Sequence, residues 1–186
     1  LILNMDDAAY THGNNAQKYF TACLLAFYQQ LWLWSSQPEK LAEFNIEKPL
    51  WVFVGNTVAG EDSDILEVVS FLAYFLNQDK QIKIWLGDLI SDKAQILDLK
   101  GNNIFQGRFT PLMGFADRVE ELYSDIISRV FNAHAKQRLK LVNIKSSKGE
   151  LALRVGDAEP FGLINIGDDA GFFSSAEDSD EFDCER

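Results

Sequence analysis

Residues 48–57, KPLWVFVGNT, decide how the chain is read. Pro49 ends the segment before it, because proline has no amide hydrogen and restricts its neighbour. Leu50–Val54 is then apolar throughout, and Gly55-Asn56-Thr57 closes it with turn chemistry. A short run of this kind predicts a strand buried on both faces, with Val52 and Val54 on one side and Trp51 and Phe53 on the other. Working outward, EDSDILEVVSFLAYFLNQ (61–78) places Ile65, Val68, Val69, Leu72, Phe75 and Leu76 on one helical face, with acids in the first turn where the dipole favours them. IKIWLG (82–87) reads as a second strand. Strand, crossover helix, strand predicts a parallel βαβ unit and an α/β fold.

The flanks extend this pattern. Residues 14–34 carry apolar side chains at 20, 23, 24, 27, 31 and 34, which predicts a long helix capped by Asn14 or Asn15. SSQPEK breaks it, and a helical turn near Leu41–Phe44 leads to the strand. ILDLKGNNIFQGRF (96–109) predicts a hairpin or extended segment turning at Gly101-Asn102-Asn103. A helix is expected at 117–133, with Asp117 and Glu120 at capping-box spacing. LKLVNI (139–144), a Ser-Ser-Lys-Gly turn and ELALRV (150–155) predict an antiparallel hairpin, and FGLINIGD (161–168) one more strand.

Composition bounds the function. Of 186 residues, 47% are hydrophobic and 24% charged, and 14 phenylalanines with 4 tryptophans supply a large aromatic core for a globular protein. No apolar stretch approaches the roughly 20 residues of a membrane span, and LILNMDDAAY has no basic leader region. Starting on Leu1, the sequence is expected to be a piece of a longer protein. Cys23 and Cys184 make no disulfide framework, so a reduced, cytoplasmic setting is expected. The net charge is −11, and residues 168–186 hold eight of the 28 acids, which predicts a poorly ordered tail. No broad basic stripe marks autonomous DNA binding.

Candidate chemistry is sparse. Asp6-Asp7 after LILNM has the look of a Mg-binding Walker B strand end, but an acid-capped element end accounts for it better. GNTVAG (55–60) has no Gly-Lys-Ser/Thr and is not a P-loop. Its amide and hydroxyl sit where α/β folds bind ligands, and a structural turn remains the equal alternative. His12 and His134 lie in no zinc spacing, His134 suiting a helix C-terminus instead. The tail lacks calcium-loop spacing, and no nucleophile elbow or Cys/His pairing is present. Trp51 and Trp85 read as core rather than base-stacking platforms. The residues themselves predict neither a catalytic residue nor a metal site.

KPLWVFVGNTVAGEDSDILEVVSFLAYF, with GRF, RVFNA and LKLVNIKSSKGELALRVGDAEPFGLINIGD, resembles the DEAD/DEAH-box helicase family that includes the Res subunit of type III restriction enzymes. The likeness covers most of residues 46–170. It implies a RecA-like parallel sheet flanked by helices, with an inserted or appended antiparallel β-hairpin. Residues 1–45 would be a helical lobe connector, 46–167 the second-lobe region, and 168–186 an acidic tail. It implies ATP-dependent translocation on DNA by the parent, with ATP and Mg held between lobes and a modification subunit of a restriction system as partner. The strand at 50–55 would be helicase motif IV, and Gly55, Asn56 and Thr57 would contact the nucleic-acid backbone. Walker A, the Ser-Ala-Thr motif and the arginine finger are missing from this sequence, so the chain is expected to be inactive alone and to hold no cofactor. The rival expectation is a non-catalytic RecA-like interaction module.

Overall fold

The computed structural model describes residues 15–54, 64–167, 172, 176–177 and 179–185. The chain forms two compact units: residues 1–51 with 80–123, and residues 52–79 with 124–186.

The first unit is helical. Helix α1 (Asn15–Ser36) buries Ala22, Leu24, Leu25, Tyr28 and Leu31. Its apolar residues run almost all round it, so sequence spacing found the buried face only in part: Leu24 and Leu31 are buried, whereas Phe20, Cys23, Phe27 and Trp34 are only partly covered. Phe27 instead meets Trp51 at 5.6 Å between ring centroids. The short helix α2 (Pro38–Ala42) starts on proline, as a first helical turn permits. Further along, a six-residue 3₁₀ turn, Thr110–Phe115, buries Leu112.

The second unit holds the sheet and helix α3 (Asp64–Asn77), which buries Val69, Phe71, Leu72, Ala73, Phe75 and Leu76. Helix α5 (Val119–Phe131) belongs to the first unit at its start and to the second from Ser124 onward. Strands β1 (Leu139–Asn143), β2 (Glu150–Val155), β3 (Gly162–Asn165) and β4 (Asp183–Glu185) form one four-stranded mixed sheet, ordered β3-β2-β1-β4. β1–β2 and β2–β3 are antiparallel, with Leu141 opposite Leu153 and Ala152 opposite Leu163; β1–β4 is parallel. α3 packs against β1. Phe131 anchors this core, its ring 5.6 Å from Phe75 and 5.0 Å from Phe161. The fold is thus α/β, as expected, and the 139–155 hairpin and third strand fall where the sequence placed them.

Three expectations require correction. Residues 82–87 are helix: α4 runs Asp79–Ile90 and buries Ile82, Trp85, Leu86, Leu89 and Ile90. The alternation Ile-Lys-Ile over three residues satisfies either period, and only the longer 3, 4, 7, 8 spacing from Ile82 resolves it. Residues 50–54 form no strand, and Leu50, Val52 and Val54 are 83%, 65% and 90% exposed. Without a ladder, β-propensity alone does not make a strand. No parallel βαβ unit therefore exists among the described residues; the one parallel pair is β1–β4. Finally, the acidic tail supplies β4, and its Phe182 is 3% exposed. Arg138 Nε bonds Asp183 at 2.9 Å, and Lys140 Nζ reaches Glu185 at 3.2 Å, which offsets the local excess of acids.

Candidate nucleic-acid interface

The turn at residues 92–109 in the first unit is held by its own side-chain bonds and carries three exposed cations. Its legs meet in an antiparallel bridge between Leu97 and Asn103, as the Gly-Asn-Asn signal predicted. Asp98 organises the tip. Its carboxylate accepts the backbone N–H of Lys100 and of Asn102, both at 2.8 Å, and the Asn102 side-chain amide at 3.0 Å. This is the aspartate-turn geometry that holds a reversal in place of backbone bonds. Those bonds, first from the Asn102 side chain, keep the Asp98 carboxyl below the usual aspartate range.

Asp92 does the same at the base, where it accepts Gly107 N–H at 2.8 Å. Asn103 Nδ2 donates to Ala94 O at 3.0 Å. Gly101 and Gly107 take φ of 79° and 67°, which glycine adopts without strain. The legs are seated by Ile96, Phe105 and Phe109, all buried. Phe105 and Phe109 stack at 5.9 Å, and Tyr19 meets Phe105 edge-on at 6.0 Å. Lys93, Lys100 and Arg108 project as exposed side chains and form no ion pair among the described residues. Other cations are paired: Lys83 with Glu120, Arg118 with Glu121, Arg129 with Asp125, and Lys136 with Asp79.

The residues singled out from sequence fall elsewhere. Gly55, Asn56 and Thr57, and with them the rest of GNTVAG, lie outside the described residues, as do Asp6, Asp7 and His12. His134 is exposed three residues after α5 ends, and Trp85 is core. Among the described residues no group of three or more His, Cys, Asp or Glu side chains could hold a metal ion. Cys23 is partly covered, and that burial raises its thiol pKa, so it is a poor nucleophile at neutral pH. The basic trio on 92–109 went unremarked in the sequence because its two acids reduce the segment's net charge to +1. The signal that could have found it was the Asp-x-Lys-Gly-Asn spacing, which commits the aspartate to the turn's own amides. Comparison with protein-family models, curated proteins and solved structures finds no match.

Proposed function

We propose that the chain is part of an ATP-dependent DNA helicase or translocase motor similar to the Res subunit of type III restriction enzymes, at the opening of its second RecA-like lobe. The observation that carries this reading is the exposure of the run at 50–54, with Leu50 and Val54 at 83% and 90%. Burying such a side chain is worth roughly 1.5–3 kcal/mol, so an apolar, strand-forming segment left in water is suited to a sheet completed by the rest of the motor. The pattern of residues 46–170 supports the same assignment, RVGDAEPFGLINIGD above all.

In this reading ATP and Mg bind in the parent protein, which works in the cytoplasm, with a modification subunit as its partner. Gly55, Asn56 and Thr57 follow the strand toward DNA, where an amide and a hydroxyl hold phosphate oxygens without reading sequence. The chain alone does not turn over ATP, because it lacks the phosphate-cradling and charge-stabilising groups that hydrolysis needs.

A phosphate-release assay with Mg-ATP and duplex DNA tests both halves. The full product of the reading frame is expected to hydrolyse ATP when DNA is added, and to lose that activity on Val54→Asp. The isolated chain is expected to be silent. A full-length product with no DNA-dependent turnover refutes the motor and leaves the non-catalytic interaction module. Turnover by the purified chain alone refutes its dependence on the rest.

A further inference from the structure

We propose that the turn at residues 92–109 is a docking site for the phosphate backbone of duplex DNA, gripped by Lys93, Lys100 and Arg108. The choice of DNA as the polyanion rests on the motor reading; the cationic grip stands without it.

Charge direction is the first argument. Residues 92–109 contain two acids and three bases. Both carboxylates bond the turn's own backbone, Asp92 accepting Gly107 N–H and Asp98 the amides of Lys100 and Asn102, each bond 2.8 Å long. Those bonds fix the two carboxylates to the turn itself, while the three cations are exposed and without an ion pair among the described residues. The turn therefore carries a net charge of +1, with its three cations exposed and its carboxylates held by its own backbone.

Placement is the second. The Asp92–Gly107 bond draws the two legs together, so their neighbours Lys93 and Arg108 leave from one base. Lys100 sits at the tip, between the bonded residues Asp98 and Asn102. A Cβ built on Gly101 or Gly107 would meet nothing within 4 Å, so bare backbone faces open space at both points. Glycine there lets a phosphate strand approach closely.

Rigidity is the third. The tip is held by Asp98, and the legs by buried Ile96, Phe105 and Phe109. A turn already held in one shape loses little conformational entropy on binding.

The fourth is where the acids lie. The unit carrying this turn has 11 acids and 9 bases, and the other has 17 acids and 8 bases. A polyanion is repelled far less by the first. Such contacts position a protein on DNA and carry no sequence information.

Fluorescence anisotropy of a labelled duplex of about 20 base pairs, titrated with the purified chain over a salt series, reads the site directly. Three phosphate contacts predict a slope of log K against log [salt] near −2.7, at about −0.9 per contact. Affinity should then fall about 20-fold between roughly 50 and 150 mM salt. The triple variant Lys93→Gln, Lys100→Gln, Arg108→Gln should flatten the slope to near zero with an unchanged thermal melt. Should the triple variant fold poorly, each single variant should lower the slope by about 0.9. A slope unaltered by these substitutions overturns the proposal, as does no binding at roughly 20 mM salt, where electrostatic attraction is strongest. Competition by polyglutamate as strong as by DNA overturns the phosphate assignment. A variant-sensitive slope combined with a full-length product that hydrolyses no ATP sinks the motor reading and keeps the polyanion site.

Discussion

The reassignment of residues 82–87 from strand to helix makes a prediction that one pair of substitutions can decide. In a strand, Ile82, Ile84 and Leu86 would share a face and a fate. In α4 they do not: Ile82 and Leu86 are fully buried, whereas Ile84 is 59% exposed. Ile82→Ala should therefore cost about 2–5 kcal/mol, the range for truncating a buried isoleucine with incomplete collapse of the cavity. Ile84→Lys should stay within about 0.5 kcal/mol, as exposed substitutions do. With a urea m-value of about 2 kcal/mol per molar, the first variant shifts the midpoint down by roughly 1–2.5 M and the second by no more than roughly 0.25 M. Urea titrations followed by circular dichroism at the helical minimum measure both. If Ile84→Lys unfolds the chain as readily as Ile82→Ala, the helix is wrong and the strand reading returns.

Other consequences are open to simple measurement. Gly149 has φ of 77°, and a Cβ there would fall on the Gly167 carbonyl, so Gly149→Ala should destabilise the β2–β3 end severely, seen as a lower melting temperature and lost β-sheet signal. Because Asp98 titrates below the ordinary 3.8, its support of the turn is present above about pH 4 and lost as the pH falls through that lowered value; the amide resonances of Lys100 and Asn102 should report a midpoint below 3.8. Lys140 is raised above 10.5, chiefly by its bond to Asp157 and then Glu185, so its contribution is present below that pH and lost above it; protection of the β4 amides should fall in strongly alkaline solution. The Cys23 thiol should react slowly with a disulfide reagent at neutral pH and rapidly once urea opens α1, whereas fast labelling of the folded chain would contradict its burial.

The candidate site was half legible. The reversal at Gly101-Asn102-Asn103 could be read because turn chemistry is local: glycine at positive φ and an aspartate three residues earlier leave the backbone few choices. That Lys93 and Arg108 arise from one base could not, since it depends on the bond joining Asp92 to Gly107 across 15 residues. The residues that seemed most functional in the sequence, Gly55, Asn56 and Thr57, fall outside the described segments.

What the sequence settled by itself were elements whose periodicity is long or whose turns are specific: α1 as a helix, α3, α5, and the hairpin from Leu139 to Val155 with its Ser-Ser-Lys-Gly reversal. Each rests on interactions within a few residues, which one dimension records faithfully. Tertiary structure alone decided the rest. The almost uniformly apolar α1 has no preferred face until neighbours supply one. The strand-like residues 50–54 stay unpaired, because a strand is completed only by the ladder of another. Conversely, an acidic tail with little β-propensity becomes β4, because Phe182 is buried and Arg138 and Lys140 offset its charge. Burial and pairing between residues far apart in the chain overrode local preference in all three places.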